Sequence, residues 1–268
     1  MKLILILLVL SSLVALPHQR TPTTKVGDRH RVSIHFSLQV DEQPLTLDSL
    51  RYTNRFGERY ALSSLAFYVS NVRLLRGEQA AYAIPQDSSY FLIRAADRPS
   101  QTLSLPQVPP GTYTGVEFIV GVDSLRSVSD ISHRTGVLDP TEVTEEDGAM
   151  YWEWNSGYIF LKMEGYSPQA PLDPSGRRSF QYHIGGFGGY DEPGLNNLKR
   201  VRVLFPRALT VGKGAVPQVN LAVNLNQVFD GPNPIRLSRT PSIMFSPASK
   251  QVADNYATMF SLQSIQNQ

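Results

Sequence analysis

From Arg31 onward the chain alternates strictly. Val32, Ile34, Phe36, Leu38 and Val40 are apolar, and Arg31, Ser33, His35, Ser37 and Gln39 between them are polar. Successive side chains of a strand point to opposite faces, so ten residues of period two specify a half-buried strand with one wet face. The pattern returns at Val219, Leu221, Val223 and Leu225, interleaved with Asn220, Ala222, Asn224 and Asn226. Shorter versions run over Val116–Val120, Tyr158–Met163, Phe180–Ile184 and Val201–Phe205, with further strands expected over Ala66–Leu75 and Tyr90–Arg94. Turn signals separate them at Asn54–Gly57, Arg76-Gly77, Pro109-Pro110-Gly111, Pro174–Gly176, Gly212–Gly214 and Gly231–Pro234. No strand–helix–strand rhythm appears. The expected fold is all-β and mainly antiparallel, a single-domain β-sandwich-like structure with one or two short helices. One helical patch is expected at Leu125, Val128 and Ile131, stopped by Gly136. A second is expected near the C-terminus, entered through Ser246-Pro247 and carrying Val252, Tyr256, Met259 and Phe260 as an apolar stripe that closes one end of the sandwich.

The ends and the composition narrow the setting. Residues 1–16 hold one lysine and then a run of about fourteen apolar residues, short for a spanning helix and suited to a secretory signal. Residues 17–31 form a polar lead-in, and residues 32–268 form the β domain. The mature protein is expected to be periplasmic or secreted and free of the membrane. Twenty-five basic against 23 acidic residues give no reason to expect nucleic acid or anionic lipid as a partner. The absence of cysteine excludes disulfides, thiolate-bound zinc, iron–sulfur clusters, blue copper and thiol nucleophiles. No nucleophile elbow, phosphate-binding loop or zinc helix is present. The run Gly185-Gly186-Phe187-Gly188-Gly189 lacks dinucleotide spacing and suits a close backbone approach to a neighbouring strand. The acidic group Glu142, Glu145, Glu146 and Asp147 lacks the alternation of a calcium loop and reads as solvated.

Metal ligation then rests on histidine. His18 lies at the signal boundary and His30 in the lead-in. Strand parity puts His35 opposite Ile34 and Phe36, and His183 opposite Tyr182 and Ile184, so both imidazoles face away from the main apolar layer. His133 follows the short helix in a loop. Imidazole suits copper, zinc, iron or nickel. Both tryptophans of the chain, Trp152 and Trp154, lie two residues apart on one strand face with Met150. They serve either core packing or a sugar-stacking platform. A glycosidase-like reading would draw on Glu153, Glu164 or Asp139, with parity aiming Glu153 away from the tryptophans.

At these residues the sequence resembles a known family. The pattern Met150-x-Trp152-x-Trp154-x-x-Gly157-Tyr158, then Leu161-Lys162-Met163-Glu164-Gly165 and Tyr182-His183-Ile184-Gly185-Gly186, is similar to that of the MbnP proteins. Gly121-Val122-Asp123, Gly136-Val137-Leu138-Asp139-Pro140 and Tyr68-Val69-Ser70-Asn71 extend the resemblance over about residues 32–260. It implies an exported, β-rich copper-binding protein that is not an enzyme. Histidines would bind the copper, and in some members a tryptophan is oxidised to kynurenine by a dihaem partner of the peroxidase type. His183 matches the family's histidine before Ile/Leu-Gly, and Trp152 and Trp154 match its tryptophan pair. The expected copper ligands are His183 with His35 or His133, near Trp152 and Trp154. The chain departs from the family in reading Asp123-Ser124-Leu125-Arg126 where copper-binding members carry an Asn-His pair, and in lacking their paired cysteines. The alternative is a secreted, non-catalytic binding or structural module that has lost the metal site, taking a carbohydrate or a protein.

Overall fold

The computed structural model describes residues 28–144, 148–153, 157–214 and 216–267, so the signal segment, most of the lead-in and Trp154 lie outside the described residues. The main strands are β1 (His30–Val40), β2 (Arg59–Arg76), β3 (Gln79–Ala83), β4 (Tyr90–Arg94), β5 (Thr102–Val108), β6 (Gly111–Val120), β7 (Gly157–Tyr166), β8 (Ser179–Gly185), β9 (Lys199–Val211), β10 (Gln218–Asn224) and β11 (Phe260–Gln266). The helices are α1 (Ser124–Ser127), α2 (Gln227–Asp230) and α3 (Ser249–Tyr256). None of the helices among the described residues is long and apolar enough to cross a membrane.

The strands form two main sheets. In the smaller, β1 lies between β10 and β5, and β11 borders β10. As the alternation requires, Val32, Ile34, Phe36, Leu38 and Val40 are buried and the polar residues between them are partly open. The expectation of mainly antiparallel pairing holds with one exception of consequence: β1 and β10 run parallel, with Ile34 opposite Val219 and Phe36 opposite Leu221. In the larger sheet β2 is the hub. It pairs with β7, β4, β6 and β3 in overlapping stretches along its length.

β2 is buried on both faces over most of its length, and its sequence reads as a nearly continuous apolar run, the signature of a strand covered on two sides. The inward face joins the core between the sheets. There Phe36, Phe118 and Phe260 pack mutually edge to face, with ring centroids 5.0–6.2 Å apart, and Phe67 adds to the group. The outward face carries Ala66 and Tyr68 into a second, smaller core with Leu92, Tyr158, Phe160 and Trp152. Segments 121–144, 148–153 and 186–198 roof it. At Asn71 the strand turns through the left-handed region (φ 54°), a conformation asparagine tolerates better than most residues, and the ladder to β6 shifts there.

Three local expectations need correction. The patch at Leu125, Val128 and Ile131 forms only the four-residue α1 followed by short 3₁₀ turns, and the three side chains are 66%, 47% and 60% exposed. Asp130 interrupts it by accepting from Ser132 N and starting the next turn. The C-terminal helix begins at Ser249, with the Ser246 carbonyl accepting from Ser249 N, later than Ser246-Pro247 suggested. Val252 and Tyr256 are buried as expected, yet Phe260 opens β11. An i+8 apolar residue fits a helix stripe and a strand start equally well. β3, β5 and β11 have no counterpart among the expected strands.

The Asn54–Gly57 turn is tied to a remote segment by Glu58. Its buried carboxylate accepts from Asn54 Nδ2 (2.8 Å), Leu237 N (2.8 Å), Ser238 N (3.0 Å) and Ser238 Oγ (2.5 Å). Burial pushes its pKa up, but the hydrogen bonds from Ser238, Asn54 and Leu237 outweigh it and hold the group below its ordinary value. A lowered folded-state pKa gives stability that is present above the unfolded value and lost as pH falls through the folded one. Glu58→Gln is therefore expected to destabilise the domain by about 1–3 kcal/mol at neutral pH. Its loss of stability below about pH 4 should be shallower than that of the wild type, as measured by denaturant unfolding across pH.

Candidate metal centre

The outward face of β7 carries Phe160, Lys162 and Glu164, and that of β8 carries Gln181 and His183, while Leu161, Met163, Tyr182 and Ile184 enter the main core. Antiparallel register sets Lys162 opposite His183 and Glu164 opposite Gln181. The result is a polar cluster at the border of the second core. His183 Nε2 lies 2.6 Å from Glu164 Oε1, and Lys162 Nζ lies 3.7 Å from the same oxygen. The His183 side chain is 12% exposed, so most of the imidazole is out of water. The hydrogen bond from His183 lowers the Glu164 pKa most, with Lys162 helping and burial opposing, so the carboxylate stays ionised. Beyond Glu164 an open groove of about 610 Å³, lined among others by Ser63, Tyr166, Arg178 and Gln181, gives access to solvent.

Trp152 is 7% exposed and sits in the second core with Met150, edge to face with Phe245 at 6.0 Å. Tyr151–Trp152 is a two-residue strand paired with Tyr158 and Gly157. The indole rests on β8 at Gly185. A Cβ built there would stand 2.6 Å from Trp152 Cζ3 and 2.4 Å from the Tyr158 carbonyl oxygen, so only glycine leaves room. The close approach expected of this glycine run is thus present, and its counterpart is the indole and the Tyr151–Tyr158 hairpin. Gly185 and His183 share the outward face two positions apart, about 6.6 Å along the strand. The seat of the indole and the His183 imidazole thus lie on one face of β8.

The other histidines lie elsewhere. His35 is on the outward face of the smaller sheet, its Nδ1 2.9 Å from Thr102 Oγ1, and burial lowers its pKa against a backbone hydrogen bond with Gln101. Because Ile34 and Tyr182 share the core between the sheets, His35 and His183 lie on opposite outer surfaces and do not share a site. A common ligand set for these two, as expected from the sequence, is corrected by this arrangement: each alternation was right, but two strands of opposed sheets turn their wet faces apart. His133 is exposed on a 3₁₀ turn of the roof, where its carbonyl accepts from Arg126 Nη1 at 2.7 Å. The next residue, Arg134, donates to Tyr151 Oη at 3.1 Å. Among the described residues no group of three or more His, Asp or Glu side chains is placed to hold a metal ion.

Glu153 is exposed, and Asp139, also exposed, accepts from Thr141 N and Oγ1 at a turn. The role of Glu164 as the partner of His183 was not read from the sequence. The signal was present: Lys162, Glu164 and His183 each alternate with core residues on strands whose pairing sets them side by side.

A model of the MbnP family matches residues 29–245. Among solved structures, MbnP from Methylosinus trichosporium superposes with a TM-score of 0.59 at 19% identity, covering 88% of this chain and 100% of that one. At that identity the likeness is one of fold. No curated protein matches the chain.

Gly185→Ala is expected to push the indole off β8 and to cost about 1–3 kcal/mol. In a Trp154→Phe background it should also shift Trp152 emission to longer wavelength. Unchanged stability and emission would refute the close packing.

Proposed function

The chain belongs to the MbnP family, and from that premise we propose that it is an exported, non-enzymatic copper-binding protein in which His183 anchors the metal beside Trp152. One observation carries the reading: a nearly buried imidazole held by a carboxylate at 2.6 Å, on the sheet face that also carries the indole. A carboxylate on one ring nitrogen fixes the ring and leaves the other nitrogen as a donor, which is how metal-binding histidines are commonly oriented. Copper bound there would supply a redox-active centre in a mostly dry aromatic surrounding. The chain's own residues do three things. Glu164 orients His183, Gly185 lets the indole close over β8, and the roof excludes water from the second core. His133, on that roof, is the second histidine of this reading, and His35 is not part of it.

In the same reading Trp152 or Trp154 is the residue converted to kynurenine, by a dihaem partner of the peroxidase type, in the periplasm or outside the cell after loss of residues 1–16. A second reading, a secreted binding module without metal, is favoured by one specific feature. Lys162 places an ammonium group at the His183–Glu164 pair, and that charge opposes a cation.

Elemental analysis and intact mass of protein purified from the native envelope or medium separate the two. The copper reading expects about one copper ion per chain, removal of the N-terminal segment and, where tryptophan has been oxidised, the corresponding gain in mass. His183→Ala should reduce copper affinity sharply, and Glu164→Gln about 10–100-fold, as loss of an orienting partner does. Full affinity in His183→Ala would remove that residue from the centre, and metal-free protein would leave the second reading.

A further inference from the structure

Exposed apolar side chains are unevenly distributed over the described surface. Leu125, Val128, Ile131 and Val137 all belong to the roof segment that follows β6, and Tyr190 belongs to the glycine loop beside it. The two loops meet, since the Tyr190 hydroxyl donates to the Ser127 carbonyl at 3.2 Å. The helical spacing of Leu125, Val128 and Ile131 would normally mark a buried stripe, yet here it faces outward. Single exposed apolar residues are ordinary; a gathered set is the mark of an interaction site.

The frame beneath them is braced. Asp123 Oδ2 accepts from Asn71 Nδ2 (2.6 Å), Gln86 Nε2 (2.9 Å) and Tyr90 Oη (2.9 Å), while its Oδ1 accepts from Arg126 N (3.1 Å). Arg126, itself buried, pairs with Asp87 and spans to the His133 carbonyl. Arg134 donates to the Ser129 carbonyl through both Nε and Nη2. These bonds hold the loop in one shape while its apolar side chains stay in water.

Charge selects the occupant. Segments 121–144 and 187–198 contain six carboxylates and two guanidiniums, in a chain whose overall charge is +2. Asp130 beside Ile131, Asp139 two residues from Val137, and Asp191 and Glu192 after Tyr190 are exposed. An anionic bilayer would be repelled by this border. A second copy meeting the same patch across a two-fold axis would bring two acidic borders together. We propose that this face docks a protein partner with an apolar centre bordered by lysine and arginine. The inference does not depend on copper. A partner seated there lies over the cavity of about 70 Å³ walled by Phe187, Tyr190 and Phe245, the last of which packs on Trp152.

Two designed amphipathic helical peptides, one of leucine and lysine and one of leucine and glutamate, serve as probes for titration against the full chain at low and high salt. The leucine–lysine peptide should bind, more weakly at high salt, and the leucine–glutamate peptide should not. The combined variant Leu125→Ser, Val128→Ser, Ile131→Ser, all exposed positions, should lose about tenfold or more in affinity with its circular dichroism unchanged. The combined variant Asp130→Lys, Asp191→Lys, Glu192→Lys should reverse the preference between peptides. Equal binding of both peptides, or undiminished binding by the serine variant, would overturn the proposal. So would self-association abolished by the serine variant, or flotation of the wild type with phosphatidylglycerol vesicles.

Discussion

The arrangement depends on β2 being covered on both faces. A sandwich strand normally keeps one side wet, and an eighteen-residue strand with a dry inner and a dry outer side needs a second apolar layer. The loops after β6 and β8 supply it. Tyr68, Tyr158 and Trp152 are buried by the same requirement that makes β2 hydrophobic throughout. The second core thus exists to complete the sheet, and the features of the candidate centre follow from its position at that core's border.

At that border the sheet changes from apolar to polar within two strand positions. Phe160 belongs to the second core, and Lys162 and Glu164 along the same face of β7 form the charged group with His183. A partly buried ion cluster next to packed aromatics is electrostatically tense, because lower polarizability strengthens both its attraction and its repulsion. Such surroundings suit a residue whose basicity and orientation are to be controlled. They also explain why Glu164 stays charged although it is half covered: the imidazole beside it contributes more than burial removes.

Much of this was legible in the sequence. The alternation at residues 31–40 fixed which side of β1 is dry, and the same rule correctly turned His183 outward from Tyr182 and Ile184. Period alone, however, does not say which sheet a strand joins, so His35 and His183 looked like partners although the main core lies between them. The exposed stripe at Leu125, Val128 and Ile131 misled for a related reason. Spacing reports that one side of a segment is apolar, and leaves open whether this chain or another molecule covers it. β11 is not legible from spacing, because Phe260, Leu262 and Ile265 lose their strict alternation at a shift in its ladder with β10. The glycine run signals a close approach at Gly185 but carries no mark that an indole fills it.

The parallel pairing of β1 with β10 also sets the order in which the molecule can assemble. β1 comes early in the chain, but the strand beside it is contributed by Gln218–Asn224, and β10 in turn leans on Phe260–Gln266. No local hairpin can stand in for that neighbour, and closing so long a loop is entropically slow. The first half of the polypeptide therefore remains without its finished sheet until nearly all of the chain is available.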